Sequence, residues 1–176
     1  MPLTLTPAAE RFVLHWGEMG SRWGVNRTVA QVHALLYVAP RPLDAETITE
    51  TLGVARSNVS TSLKELQGWK LVAVSRELGD RRDRYSTPDD PWELFRIVLE
   101  ERKRREIDPT IETLRACLAE AGEEETVLLR RVGDLLDFLE RGHGFYLAVR
   151  ALPTRALKLL ADAGDRLPRW LGLRED

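Results

Sequence analysis

Small polar side chains occupy the stretch between Ala55 and Leu66 in a pattern that suits hydrogen bonding to nucleic acid. If this stretch is a helix, its apolar side holds Ala55, Val59 and Leu66, and Ser62 or Leu63 completes that side. Short hydroxyl and amide groups let a helix approach base edges, while longer basic side chains reach phosphates. A solvated helix face is the alternative interpretation. The candidate contact residues are Arg56, Ser57, Asn58, Ser60, Thr61 and Lys64.

Three arginines, Arg81, Arg82 and Arg84, lie within four positions a short way after this stretch. The segment GDRRD joins two strand-like runs, LVAVSREL and RYSTP, and begins with a glycine–aspartate turn signal. Arginine is favoured in narrow minor grooves, where the negative potential is strongest. We therefore expect one of the three arginines to enter a groove, with Asp83 bracing Arg81 or Arg84. A charged, solvated hairpin tip is the alternative.

Two short helices and a hairpin must position these side chains. Asp44 is a suitable N-cap for a helix whose core side holds Ile48 and Leu52, and Gly53 supplies the turn into the next helix. The hairpin follows that second helix, and Leu43 is expected to add a short strand to its sheet. Two helices followed by an arginine-tipped hairpin predict a winged helix-turn-helix, in a mainly α protein with a small β-wing.

Further helices are expected on both sides of this unit. Thr6 caps a first helix that Gly20 ends, and a second helix runs over residues 26–39 and stops at Pro40. Beyond Pro91 the sequence predicts a long helix that Asp108-Pro109 breaks or kinks, with Asp108 as the new cap, then helices over 125–141, ended by Gly142 and Gly144, and over 154–163, stopped by Gly164 and Pro168.

This helical region exceeds what a small winged unit needs for its own core. Two-fold operators require a two-fold protein, so we predict a DNA-binding domain over residues 1–90 and a helical dimerisation region, with a possible effector role, over residues 91–176. Besides DNA, the chain is therefore predicted to bind a second copy of itself.

Charges are distributed unevenly along the chain. The 176 residues have a formal net charge of −2, which by itself argues against a DNA-binding protein. Residues 53–86, however, hold seven basic and four acidic side chains, a local charge of +3, whereas residues 91–140 hold eight basic and thirteen acidic ones, a local charge of −5. Phosphate binding depends on the field within a Debye length of roughly 8–10 Å. The sequence therefore predicts a basic, phosphate-binding surface in residues 53–86 of a chain that is acidic overall.

No motif for catalysis, metal binding or cofactor binding is found in the sequence. His15, His33 and His143 lack HExxH or paired-cysteine spacing, and there is no glycine-rich phosphate loop. His15 and His33 are expected to be structural residues in the core of the first two helices, and Cys117 a small buried hydrophobic side chain. We predict that the protein is not an enzyme and has no cofactor and no metal.

The composition predicts a cytoplasmic protein that does not enter a membrane. A single cysteine forms no internal disulfide, which fits a reducing compartment. No apolar run reaches the roughly 18 residues that span a bilayer. The N-terminal residues MPLTLTPAAERF lack the pattern of a signal peptide.

The segments LGVARSNVSTSLKELQGWKLVAV, GDRRDRY and WELFRIVLEERKRREID together resemble the MarR-type winged-helix regulators, in particular the branch of glycine-betaine- and choline-responsive repressors. The resemblance covers roughly residues 29–108. It implies a homodimer joined by its terminal helices, double-stranded DNA as partner, and a small molecule bound between the dimer interface and the DNA-binding lobe. Relatives commonly have Ser or Thr where Ala55 stands, and loss of such a cap costs on the order of 1 kcal/mol. Ser57 is an alternative cap if the helix starts two residues later.

Four aromatic residues become candidates for an effector site under this resemblance: Trp16, Trp23, Tyr37 and Trp92. Quaternary ammonium ligands are held in aromatic cages by cation–π attraction. The four rings would meet if the first two helices pack against the helix that contains Trp92. Ordinary core packing is the alternative, and it is favoured when the resemblance is set aside.

Two functions remain open at this level. The first is a transcriptional regulator, a repressor, that binds a palindromic operator as a homodimer, with the recognition helix in the major groove and the arginine wing in the minor groove. The second is a winged-helix module that binds protein and makes no specific DNA contact. Salt dependence separates the two, because phosphate contacts release counterions.

Overall fold

The structure is a computed structural model that describes residues 2–164, and it is predominantly helical. Two compact units are distinguished, one over residues 1–99 and one from residue 100 onward. The predicted mainly α fold with a small β-wing is confirmed. Its elements are α1 Pro7–Arg22, α2 Arg27–Val38, α3 Ala45–Leu52, α4 Arg56–Gly68, β1 Ala73–Ser75, β2 Arg84–Ser86, α5 Pro91–Arg102, a π-helical turn Lys103–Ile107, α6 Asp108–Glu120, α7 Thr126–Arg150 and α8 Thr154–Gly164.

Helix α2 forms the centre of the first unit. Its residues Val32, Ala34 and Leu35 have no exposed surface, and the helix packs against α1, α3 and α4. A helix that is apolar nearly all round must be covered on every side, which explains why α1, α3 and α4 surround it. The rest of this core comes from the following elements and includes Leu43, Ile48, Val59, Leu63, Leu66, Leu71 and Val72.

Side-chain caps fix the starts of the first three helices, and two of these caps, Thr6 and Asp44, were predicted. The Thr6 hydroxyl accepts a hydrogen bond from the Ala9 amide, and the Asn26 side chain accepts one from the Thr28 amide. Such bonds satisfy amides that have no partner within the helix. The first residues of α4, in contrast, receive no side-chain cap from Ala55.

The wing is a two-stranded antiparallel sheet with Val74 opposite Tyr85. Leu43 adds a bridge on the other side of Tyr85, through N–O bonds of 3.0 and 2.8 Å. The predicted short strand at Leu43 is therefore confirmed. It fastens the hairpin to the residue that immediately precedes the N-cap of α3.

Gly20 does not end α1, which continues to Arg22, so that prediction was wrong. A Cβ atom at Gly20 would lie 2.5 Å from the Cβ of Ala30. The glycine therefore allows α1 and α2 to approach closely. The turn that follows α1 uses Gly24 instead, with a φ of 77°.

Gly142 and Gly144 were also wrongly predicted as a helix end, because α7 continues through both to Arg150. A Cβ atom at either position would meet nothing within 4 Å. Glycine inside a helix costs roughly 1 kcal/mol relative to alanine but keeps its backbone hydrogen bond, so the flanking helix-forming residues carry the helix through. The final helix, α8, matches its prediction closely, and the predicted stop at Pro168 lies outside the described residues.

Asp108 does not cap a restarted helix. Ile107 and Asp108 both keep right-handed helical backbone angles, and the π-helical turn stands directly before α6. A π turn carries one extra residue, which accommodates the ring of Pro109 without ending the helix. The Asp108 carboxylate instead accepts hydrogen bonds from the Lys103 ammonium at 2.8 and 2.9 Å.

Two residues predicted to be internal lie at the surface. His15 on α1 and Cys117 on α6 are exposed, whereas His33 is buried as predicted. Helical periodicity places Cys117 near an apolar stripe, but its side chain is exposed. None of the helices within residues 2–164 is both long and apolar enough to cross a membrane.

Candidate nucleic-acid interface

Helix α4 presents one polar face to solvent and one apolar face to the core. Val59, Leu63 and Leu66 are buried, and Ser62 turns inward with them. The six predicted contact residues are all exposed: Arg56, Ser57, Asn58, Ser60, Thr61 and Lys64. The structure therefore brings the predicted set together on one accessible helix face.

The turn between α3 and α4 sets the position of that face. Gly53 ends α3 in the left-handed conformation, with a φ of 62° and a ψ of 29°, which a residue with a Cβ rarely adopts. At the other end of α4, Lys70 has a φ of 58°, and the Leu71 amide bonds back to the Leu66 carbonyl. These two turns hold α4 between α3 and the wing.

The three wing arginines occupy different environments. Arg81 is exposed, and no carboxylate within the described residues pairs with it. Arg82 is half exposed and binds the Asp80 carboxylate through Nε and Nη2 at 2.9–3.1 Å. The Arg84 side chain is only 11% exposed and lies between the carboxylates of Asp80 and Asp44, at 3.0 and 3.4 Å. The sequence grouped the three arginines, and the structure separates them.

Asp44 ties the wing to the start of α3. Its carboxylate accepts the Thr47 amide at 2.8 Å as an N-cap and also contacts both Arg82 and Arg84 at 3.4 Å. Burial alone raises the pKa of Asp44, but the hydrogen bonds from Thr47 and the two arginine charges outweigh burial and lower the pKa overall. The carboxylate therefore stays ionised and holds the base of the hairpin.

Asp80 forms the second anchor. Hydrogen bonds from the Arg82 side chain and backbone amide, with a further bond from Arg84, hold the pKa of Asp80 far below its usual range. The sequence marked Asp80 only as part of a turn signal and Asp44 only as a helix cap. The contact of Asp44 with Arg84 spans 40 residues, and no local sequence pattern indicates such a contact, whereas Asp80 lies only four residues from Arg84.

Asp83 was predicted to brace Arg81 or Arg84, and that prediction was wrong. Its carboxylate bonds to Arg76 Nε across the hairpin at 2.6 Å. Arg76 precedes the hairpin tip and Asp83 follows it, so the antiparallel strands bring them together. Among the three wing arginines, Arg81 is the one that no carboxylate of the described residues pairs with.

The aromatic residues predicted for an effector site lie at different places along α1, α2 and α5. Phe12 contacts Trp16 with ring centroids 5.4 Å apart and Tyr37 with centroids 6.2 Å apart. The Tyr37 hydroxyl reaches the Asp89 carbonyl at 3.5 Å, near the start of α5, where Trp92 is half-buried. Trp23 lies at the end of α1, 65% exposed. The sequence missed Phe12 as the ring that connects Trp16 with Tyr37.

Comparison with known proteins finds a family model that is similar to the first unit. Residues 23–83 match the model of the MarR family. The matched range contains the helix pair and most of the wing. Residues 23–83, about a third of the chain, are therefore similar to the MarR family. The match does not distinguish a glycine-betaine- or choline-responsive branch.

Two individual proteins are also similar to this chain. YvaV of Bacillus subtilis (strain 168), a proposed HTH-type transcriptional regulator, is 25% identical over 95 residues, and the alignment covers 53% of this chain and 54% of YvaV. The chain thus spans about half the length of that relative. The crystal structure of a transcriptional regulator superposes with a TM-score of 0.60 at 21% identity, covering 81% of this chain and 99% of that one. That superposition shows a shared fold.

Proposed function

We propose that this chain is a sequence-specific, DNA-binding transcriptional regulator. It binds a palindromic operator as a homodimer, with α4 in the major groove and the wing in the minor groove. The observation that carries the proposal is the uninterrupted polar face of α4, six exposed residues held between a fixed turn and an arginine-tipped hairpin. The MarR-family match over residues 23–83 supports it.

The wing supports the same function through one side chain. Arg82 and Arg84 are held by Asp80 and Asp44, so their charges are largely neutralised within the protein. Arg81 is exposed at the tip and keeps its donors available. We assign the minor-groove contact to Arg81, with the other two arginines shaping the hairpin that presents it.

Selection of bound duplexes from a random pool, with the full chain, tests the proposal. The wild-type protein should enrich a palindrome, because a two-fold protein reads two half-sites. Ser57→Ala and Thr61→Ala should relax the preference at individual base positions by about 1–3 kcal/mol each, since their hydroxyls face the bases. Gln67→Ala, an exposed change near the C-terminal end of α4, is the control and should enrich the wild-type sequence.

Recovery of no preferred duplex would contradict DNA reading and favour the protein-interaction module. Enrichment of a single, non-repeated site would keep DNA binding and contradict the two-fold operator. The proposal extends to repression and to release by a small molecule, and both rest on the family resemblance. Within the described residues, Trp16, Tyr37 and the Phe12 ring between them are where a quaternary ammonium effector would be sought.

A further inference from the structure

Lys70 adopts a backbone conformation that lysine rarely takes. Its φ is 58°, and it is the one residue other than glycine with a positive φ in the part of the chain that the structure describes. The left-handed region brings the Cβ atom too close to the following carbonyl oxygen, so glycine and, less often, asparagine occupy it. Lys70 therefore stands at a position that favours glycine.

The turn at Lys70 is a complete helix C-terminal motif, which explains why the backbone is held in this conformation. The Leu71 amide donates to the Leu66 carbonyl and the Lys70 amide donates to the Gln67 carbonyl, each at 2.9 Å. These are the two bonds with which a left-handed residue ends a helix. Both bonds use backbone atoms only. A glycine at position 70 would form them without the steric cost, so the turn does not need the lysine side chain.

The side chain of Lys70 is available at the surface. Lys70 is exposed, and no carboxylate within residues 2–164 pairs with it. A cation near the C-terminus of a helix interacts favourably with the helix dipole, and this is the alternative reason for a lysine here. At an exposed position that interaction is screened by salt and is smaller than the steric cost of the left-handed backbone. Strained residues of this kind cluster at functional sites.

Lys70 also lies between the two elements that the proposed function puts on DNA. It follows the last residue of α4, Gly68, by two positions and precedes β1, which begins at Ala73. With α4 in the major groove and the wing in the adjacent minor groove, one phosphodiester strand passes between the two elements. We propose that the Lys70 ammonium binds a phosphate of that strand, and that this contact accounts for a lysine where the backbone favours glycine. The inference rests on the proposed function and adds a contact outside the polar face of α4 and outside the wing.

Replacement by glycine tests the proposal, because it should change stability and DNA binding in opposite directions. Lys70→Gly removes the steric strain, so the melting temperature of the full chain should rise by about 2–4 °C. The Kd for the duplex enriched by selection should increase by about tenfold or more, since each copy of a two-fold protein loses a phosphate contact. Binding to a duplex of unrelated sequence should weaken by a similar factor, because a phosphate contact carries no sequence information.

Two further variants separate the charge of Lys70 from its backbone. Lys70→Arg keeps both the cation and the Cβ atom, so the melting temperature should stay at the wild-type value and the Kd within about twofold of it. Lys70→Asn removes the cation but tolerates the left-handed conformation, so it should weaken DNA binding as much as Lys70→Gly does.

Duplexes with a single neutral methylphosphonate locate the contact. At one position in each half-site the substitution should weaken binding of the wild type but not weaken Lys70→Gly further, because the partner charge is already absent. A Lys70→Gly protein with a higher melting temperature and the wild-type Kd would overturn the proposal and assign the lysine to the helix dipole, while DNA binding by the chain would stand. A melting temperature that does not rise would overturn the argument from strain and the proposal with it. A wild-type chain that binds no duplex would refute the proposed function together with this inference.

Discussion

At the scale of single residues, His33 shows how a buried polar group is satisfied in this fold. The Thr87 hydroxyl donates to the Leu71 carbonyl at 2.8 Å, so its oxygen is left to accept from His33 Nε2, which lies 3.2 Å away. A hydroxyl has only one proton to donate, and the histidine is therefore the tautomer with hydrogen on Nε2. This chain of bonds joins α2 to the segments before and after the wing.

The pKa of His33 leads to a prediction about acid stability. Burial lowers the pKa to about 4 in the folded chain, below the unfolded value of about 6.5. As the pH falls, the unfolded chain binds this proton first, so the folded state loses up to about 3 kcal/mol between about pH 6.5 and pH 4. Urea unfolding at several pH values should show that His33→Gln reduces this loss, because glutamine does not titrate.

His15→Gln is the control for that measurement. His15 is exposed on α1, so His15→Gln makes the same chemical change outside the core. Equal pH dependence for His33→Gln and the wild type would show that His33 is not the group that titrates.

Single-residue predictions from sequence succeeded where the deciding contact is local. The predicted caps Thr6 and Asp44 act within three residues of themselves, so the sequence contains both partners of each bond. Gly20 was misread because a glycine serves either a turn or a close approach, and only the neighbouring helix α2 decides which. Gly142 was misread because the flanking helix-forming residues carry α7 through a glycine that has no such contact. The start of α4 has Ala55 at the N-cap position without a side-chain bond, as the comparison with relatives implied, and the alternative of Ser57 as the cap was wrong.

At the scale of elements, the wing is held by ion pairs more than by its short sheet. Each strand has three residues, and a hairpin of that size is at best marginally stable alone. The bridge from Leu43 and the pairs of Asp44 and Asp80 with Arg84 supply the missing support. The sequence predicted the hairpin from turn and strand residues, but the bracing was beyond it because Asp44 is 40 residues from Arg84.

Asp44→Asn should separate the charge of this residue from its capping role. Asparagine keeps the N-cap bond to the Thr47 amide. It removes the charge opposite Arg84, whose guanidinium is nearly buried, so the unfolding free energy should fall by about 1–3 kcal/mol. For Asp44→Ala, the unfolding free energy should fall by about 1 kcal/mol more, because the N-cap bond is lost as well. Urea denaturation measures both changes.

Asp83→Asn is the control variant in the same hairpin. It removes the pair with Arg76, whose side chain is three-quarters exposed, and exposed pairs contribute little to stability. We expect the ion pairs at the base of the wing to stabilise the fold more than the pair at its tip does. An equal decrease in unfolding free energy for Asp83→Asn and Asp44→Asn would contradict this expectation.

At the scale of the whole molecule, the positions of the charges matter more for DNA binding than the net charge of the chain does. The formal net charge is −2, yet residues 53–86 have a local charge of +3. Within that segment Arg76, Arg82 and Arg84 are neutralised by aspartates, so the cations available to phosphates are fewer than the sequence count. The sequence predicted the basic segment, and the contacts decide which of its charges face outward.

The salt dependence of operator binding tests which basic side chains contact phosphates, and it also tests whether the protein binds as a homodimer. The logarithm of the binding constant should fall linearly with the logarithm of salt concentration, with a slope of about 0.9 per phosphate neutralised. Arg81→Ala should reduce the steepness by about two, one for each wing of a homodimer, and weaken all duplexes alike. Fluorescence anisotropy between about 50 and 200 mM salt measures the slope.

Arg11→Ala, which removes an exposed arginine on α1, should leave the slope unchanged. A reduction of about one would mean that a single wing is engaged. No reduction would show that Arg81 makes no ionic contact with the duplex.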